Sequence, residues 1–258
     1  MKATISIEPH AWTKVEIIRH LSDINGYKKY LEIVTPITGV AYANVDRSKF
    51  DTCHRLMYRC PDSFDDGMDI DFRSADLDIS ECISQINDRR LLYDVILVDP
   101  WHEYETSFRD LKEAFDLVRV GGSIVVHDCL PPCEEVAIPH FIPGGWAGVT
   151  FRAYVDFVLL RSDLRYLTVD TDWGCGVIRK LQEDSRKRKL HSFLNSIFGR
   201  AHLRSQADQQ DVLRESWKKI GGDYRSAYGF LLENKRELLK LVTVDEFLGD
   251  QGPIKGGA

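Results

Sequence analysis

Asp99, His102, His127 and Asp128 are the residues of this 258-residue chain whose types and spacing could do chemistry. Asp99 closes the apolar run YDVILVD and His127-Asp128 closes SIVVHD, with His102 three residues beyond the first acid. An imidazole exchanges protons near neutral pH, so His102 is a candidate general base. Each residue also has a plainer reading. Asp99 and Asp128 can cap the next helix or turn, and His127 can be a satisfied, half-buried histidine.

The elements that must position these groups are legible around them. Val95, Ile96, Leu97 and Val98 form a β-branched-rich run too short for a helix, which predicts a buried strand, and SIVVHD reads the same way. Between them Phe108, Leu111, Phe115 and Val118 recur at helical spacing, and Gly121-Gly122 reads as the helix C-cap. The result is a βαβ unit. Its crossover is right-handed by rule, so the strands are parallel and both carboxyl ends open on one sheet edge, where ligands bind in open α/β sheets. The acids and histidines therefore share one edge.

The same alternation extends through the first half of the chain. Trp12, Val15, Ile18 and Leu21 mark a helix within 9–29, closed by Asn25-Gly26, that covers the sheet. Tyr30–Val34 predicts a first buried strand, followed by a turn at Thr35–Gly39 and a helix start. Residues 53–60 predict a second strand, Asp71–Ser74 a short third, and Leu77, Ile79, Ile83 and Ile86 a helix. Cys129–Gly145 contains four prolines and two consecutive glycines, which exclude regular structure; a loop of that length at the edge of the site reads as a lid. Residues 164–180 read as a hairpin through Asp172-Trp173-Gly174, whose last strand runs antiparallel. Trp146 and Trp173 suit either stacking on a sugar face or core packing.

Composition sets outer bounds. With 43% apolar residues the chain can bury a full core, and its formal net charge of −6 argues against a nucleic-acid partner. Six scattered cysteines form no CxxC pair and read as free or buried thiols. No apolar run is long enough to span a bilayer and no signal-peptide core is evident, so a cytoplasmic location is the expectation. Residues 1–180 are read as one domain with an N-terminal covering helix, and 181–258 as a helical extension. The extension opens with a basic amphipathic segment, 185–204, which carries six Arg/Lys and no acid. That segment suits an anionic membrane surface, a helix packed on the domain, or a subunit interface that would make a homo-oligomer.

The order of elements, together with VDPWHEYETSFRDL, GGSIVVHDC and DTDWGCGVI, resembles the class I S-adenosylmethionine-dependent methyltransferases, with the nearest likeness to the sugar and small-molecule O-methyltransferases related to macrocin O-methyltransferase. The likeness covers about residues 28–180. It implies a Rossmann-like α/β fold with a seven-stranded, mostly parallel sheet and an antiparallel last strand. It also implies S-adenosylmethionine bound near Glu32, Thr35, Gly39, Asp76 and Asp99. The family's first motif alternates glycines after an acid, whereas Val34, Pro36 and Thr38 follow Glu32 here and only Gly39 remains.

Metal-dependent members of the group use an acid after the fourth strand, a base shortly beyond it and an acid pair after the fifth. On that resemblance Asp99, His127 and Asp128 would hold a divalent metal and His102 would be the base. His127 in place of an acid admits Mg, Mn, Fe or Zn. A divalent ion would lower the pKa of a sugar hydroxyl and the base would remove its proton. The implied activity is O-methylation of a hydroxyl on a sugar, glycan or other small-molecule acceptor. The other function class is a non-catalytic binding or scaffold protein on the same fold, to which the missing glycines point.

Overall fold

The computed structural model describes residues 12–39, 41–182 and 204–249. The chain runs α1 (Lys14–Asn25), β1 (Lys29–Val34), a 3-10 turn (Arg47–Lys49), β2 (Thr52–Met57), β3 (Phe72–Arg73), α2 (Ser80–Asp88), β4 (Tyr93–Asp99), α3 (Tyr104–Leu117) and β5 (Val118–Val126). It continues with α4 (Thr150–Leu159), β6 (Leu164–Val169), β7 (Cys175–Lys180), α5 (Arg204–Ile220), α6 (Tyr224–Leu238), β8 (Leu241–Val242) and α7 (Val244–Gly249). The strands form one Rossmann-like α/β sheet in the order β3-β2-β1-β4-β5-β7-β6-β8. The first five are mutually parallel, and β7 is antiparallel to both its neighbours, β5 and β6.

Alternation along the strands decides which groups can meet. Leu31, Ile33, Ile96, Val98, Ile124 and Val126 face a core shared with α2, α3, α4 and residues Trp217, Tyr228, Leu231 and Leu238 of α5 and α6. Tyr30, Val95, Leu97 and Val125 face the opposite layer, where Ile17, Ile18 and Leu21 of α1 and Phe247 of α7 pack. Asp99 continues the row of Val95 and Leu97, and His127 that of Val125, so both lean toward α1. Residues 204–249 thus share the main core rather than standing apart from it, and β8 pairs with β6.

The seven expected strands are present and β8 adds an eighth at the β6 edge. The antiparallel strand expected as the last of the hairpin is β7, which lies between β5 and β6. No α-helix follows β1 among the described residues; turns lead to the short 3-10 segment instead. Gly121-Gly122 does not cap α3, which ends at Leu117 and passes directly into β5. These glycines lie in the strand near a register shift between Tyr93 and Val95 of its neighbour. Gly121 has φ +79°, and a Cβ on Gly122 would come within 2.7 Å of the Asp94 carbonyl oxygen, so the requirement for glycine is a close strand approach. The second strand stops at Met57, short of Cys60.

The loop read as a lid is irregular from the end of β5 to α4, but its centre is anchored. Val136 and Ala137 are fully buried, and the Tyr228 hydroxyl donates to the Pro131 carbonyl at 2.9 Å. The basic segment 185–204 lies, apart from its last residue, outside the described residues. Among the described residues no helix is long and apolar enough to cross a membrane.

Candidate active site

Parallel register brings the four sequence-selected residues to one place. Val34 pairs with Asp99, Val98 pairs with Val126, and the His127 N–H donates to the Val98 carbonyl at 3.1 Å. Asp128 then takes a left-handed conformation, φ +62°, at the abrupt end of the strand. His102 follows β4 on a loop held by a network below it. The Trp101 N–H donates to the Tyr58 hydroxyl at 2.5 Å, and that hydroxyl donates to Asp110 Oδ2 at 2.7 Å. Burial lifts the Asp110 pKa to about 6, against the pull of Arg109.

The histidine is clasped from above as well. Val149 N–H donates to the His102 carbonyl at 2.9 Å, and His102 Nδ1 lies 2.5 Å from the Trp146 carbonyl oxygen. Gly148, at φ +58°, permits this approach, since a Cβ there would lie 2.1 Å from the His102 carbonyl oxygen. Trp146 therefore serves through its backbone, while its ring stacks edge-on against Trp101 and its indole N–H donates to the Ile138 carbonyl.

The charged groups close into a ring. His102 Nε2 is 3.3 Å from Asp99 Oδ1 and 3.1 Å from Asp128 Oδ2. His127 Nδ1 is 3.2 Å from Asp128 Oδ2 and 3.7 Å from Asp99 Oδ1, and its Nε2 faces Asp172 Oδ2 at 3.3 Å. Asp172, at the β6–β7 turn, accepts from the Lys14 backbone N–H at 3.0 Å, and Lys14 Nζ reaches Asp99 Oδ2 at 2.5 Å. Three acids, two imidazoles and one ammonium thus meet, with Lys14, Asp99, His102 and Asp128 buried and His127 and Asp172 partly exposed.

Burial opposes ionisation of Lys14, Asp99, Asp172 and both imidazoles, and their partners override it. Against burial, Lys14 and then His127 hold Asp99 well below the usual carboxylate range. Asp172 falls to about 2 despite its burial, through His127 and the Lys14 N–H. Burial works to lower both imidazoles, yet Asp128 and Asp99 raise His102, and the same carboxylates raise His127 well above an ordinary histidine. The ammonium of Lys14 is likewise held charged by Asp99.

Asp99, His102 and Asp128 each offer an atom that lies within 4.8 Å of the others, which suits a single cation. Asp128 Oδ1 is buried without a hydrogen-bond partner, an orphaned acceptor that a cation would satisfy. His102 has the arrangement of a metal-ligating imidazole: Nδ1–H is committed to a carbonyl and Nε2 faces the carboxylates. His127 lies on the same cluster but points its second nitrogen at Asp172.

The implied cofactor residues divide into two groups. Glu32 is fully buried on the α1 side of β1; it accepts from the Tyr30 hydroxyl through Oε2, and Oε1 has no partner. Burial raises its pKa to about 7. An ammonium or other donor would complete it. The Thr35–Gly39 loop offers no spare N–H of its own at Thr35, Thr38 or Gly39: Thr35 N–H donates to Thr38 Oγ1, and Thr38 and Gly39 N–H donate to the Thr35 carbonyl. Thr38 Oγ1 in turn donates to the Asp99 carbonyl at 2.8 Å, tying the loop to β4. Gly39 is required by packing, because a Cβ would meet Val34 at 2.9 Å. Asp76 is exposed after β3, and its carbonyl accepts from the Arg59 N–H.

Lys14, Asp172 and Gly148 escaped the sequence reading. Lys14 left one faint signal, a basic residue in the first turn of a helix, where the macrodipole disfavours it. Asp172 was visible as a turn residue only.

Protein-family models give no match to the chain, and neither do curated proteins. Solved structures do. An O-methyltransferase from Bacillus cereus in complex with SAH is 14% identical with a TM-score of 0.48, covering 69% of this chain and 84% of that one. The O-methyltransferase TomG from Streptomyces achromogenes, involved in tomaymycin synthesis and solved with SAM, is 14% identical with a TM-score of 0.48, covering 64% and 78%. The MycE methyltransferase of the mycinamycin pathway, solved with Mg, SAH and mycinamycin VI, is 16% identical with a TM-score of 0.44, covering 66% of this chain and 50% of that one.

Proposed function

We propose that this protein is an S-adenosylmethionine-dependent O-methyltransferase acting on a hydroxyl of a sugar or other small molecule, assisted by a divalent metal. The observation that carries the reading is the meeting of Asp99, His102 and Asp128 at the carboxyl ends of β4 and β5, on a sheet with the strand arrangement the sequence resemblance implied. Asp99, His102 Nε2 and Asp128 would hold the ion, and Glu32 Oε1 would receive the ammonium of the cofactor. When bound, the ion would lower the pKa of an acceptor hydroxyl, and the cofactor would supply the methyl group.

The two imidazoles exchange the roles that the sequence resemblance gave them. With Nδ1–H on the Trp146 carbonyl, His102 presents Nε2 as a ligand, and His127 is left to take the hydroxyl proton. Burial works to lower the His127 pKa and Asp128 and Asp99 raise it; a cation held by those carboxylates would offset their pull and leave Nδ1 free to accept the hydroxyl proton. Asp99, His102 and Asp128 are buried, surroundings that limit hydrolysis.

Calorimetry with S-adenosylmethionine, with and without Mn²⁺, followed by a methyl-transfer screen over glycosides and polyhydroxylated metabolites, tests the reading. Affinity in the micromolar range, about −8 kcal/mol, and methylated product are expected. Absence of heat at millimolar cofactor with either metal condition overturns it.

A further inference from the structure

We propose that Lys14 is a tethered counter-ion that competes with a divalent cation for Asp99, so that the N-terminal turn of α1 sets how tightly this site takes metal. The inference rests on the reading of Asp99, His102 and Asp128 as a metal site, and not on methyl transfer.

The case begins with how the ammonium arrives. Lys14 is the first residue of α1, and its side chain is buried against Asp99 with Nζ on Oδ2 at 2.5 Å. Its own backbone N–H is fixed to Asp172 at 3.0 Å, and the residue before last in the lead-in, Trp12, accepts from the Thr171 hydroxyl at 2.5 Å. Thr13 and Glu16 close a reciprocal capping box around the same turn. The start of the helix is thus tied to the β6–β7 turn at Trp12 and at Lys14 itself, and the ammonium is delivered from a fixed base rather than from a loose surface stem.

The charge then has a consequence. A divalent ion bound by Asp99 would stand within a few ångströms of this ammonium, with little water between them to screen the repulsion. Asp99 cannot serve both cations fully, because each draws on the same carboxylate. The ion must push Nζ away or accept a weakened ligand. By linkage, whatever loosens the α1 start strengthens metal binding, and metal binding loosens the α1 start by the same factor.

The test uses the full chain with Mn²⁺ alone, without cofactor or acceptor, read by calorimetry and by the electron paramagnetic resonance of free Mn²⁺. Wild type is compared with Lys14→Met, which keeps the stem and removes the charge, and Lys14→Arg, which keeps the charge. Lys14→Met should bind Mn²⁺ about tenfold more tightly or better, and Lys14→Arg within about threefold of wild type, the ordinary range of a coupling between sites. Thermal melts provide a second readout. Lys14→Met should melt below wild type without metal, since Asp99 loses its partner, and Mn²⁺ should raise its melting temperature by more than it raises that of wild type. A Lys14→Met chain that folds only with Mn²⁺ also supports the inference. Adding Asp128→Asn to Lys14→Met should abolish the gain.

Equal or weaker Mn²⁺ binding by Lys14→Met, equal thermal shifts in the two proteins, or no Mn²⁺ bound by either one overturns the inference. A wild type that binds S-adenosylmethionine while its Mn²⁺ affinity ignores Lys14 leaves the methyltransferase reading standing. A Lys14-dependent Mn²⁺ affinity in a protein that never binds the cofactor does the reverse.

Discussion

His102 Nδ1 lies 2.5 Å from the carbonyl oxygen of Trp146, and because a carbonyl can only accept, the imidazole carries its proton there. Nε2 is consequently the nitrogen that faces Asp99 and Asp128, and one rotamer of one residue decides which chemistry His102 can perform. His102→Ala should weaken Mn²⁺ binding by about a hundredfold, the loss expected at the upper end for removing a metal-site partner. His127→Ala should leave Mn²⁺ affinity within about tenfold and lower turnover by about 10²- to 10⁴-fold, as loss of a positioned base does. Retention of full Mn²⁺ affinity by His102→Ala would return it to the base role.

Removing the carboxylate of Asp99 strands the Lys14 ammonium in the interior. Asp99→Asn should therefore destabilise the fold by about 3–5 kcal/mol, the cost of breaking a buried pair from one side. Urea denaturation in metal-free buffer measures it. The double variant Asp99→Asn with Lys14→Met should recover much of the loss, since no unpaired charge remains; a double variant as unstable as the sum of the singles would show that the pair is not the cause.

Glu32 gives the protein an unusual dependence on pH. Its folded pKa is raised from 4.5 to about 7 by burial, so the folded state binds the proton more tightly than the unfolded chain. The associated stability is fully present below pH 4.5 and is lost as pH rises through about 7. The loss is about 3 kcal/mol at about 1.4 kcal/mol per pKa unit. Glu32→Gln should flatten that slope, and denaturation midpoints between pH 5 and pH 8 that decline equally in both proteins would count against it. Asp172 works in the other direction: its stabilising effect holds above its unfolded value of 3.8 and disappears as pH falls through about 2.

Tyr58 joins the second strand to the loop that carries His102. Tyr58→Phe leaves the Trp101 N–H and the Asp110 carboxyl without their shared hydroxyl, both in the interior. A loss of about 1–3 kcal/mol is expected for stranded buried groups, visible as a lower urea midpoint with an unchanged slope. A variant as stable as wild type would mean that the loop is held by Val149 and Gly148 alone.

The βαβ unit around Asp99 and Asp128 was legible in the sequence because buried strands write themselves as unbroken apolar runs. A parallel crossover then sends both carboxyl ends to the same edge. The same logic made the closing hairpin readable: Asp172, Trp173 and Gly174 all occupy left-handed conformations at its turn. Gly121-Gly122 misled because a glycine pair after a helical stripe marks a C-cap far more often than a strand crowded against the Asp94 carbonyl. The missing helix after β1 was equally hidden, since Thr35 and Thr38 satisfy the turn through one another and through β4, partners no local pattern announces.

What the sequence determined by itself is therefore the order of the layers, the sheet edge on which chemistry would occur, and four of the side chains there. What only the tertiary structure decided is how those side chains are charged and which way they face. Lys14 and Asp172 are separated by 158 residues, yet one donates its backbone N–H to the other while its ammonium reaches Asp99. Periodicity records burial and local conformation, both properties of neighbouring residues. Ion pairing in a dry interior depends on distances between elements that meet only when the sheet is assembled, and the Trp146 carbonyl that orients His102 carries no side-chain signature at all.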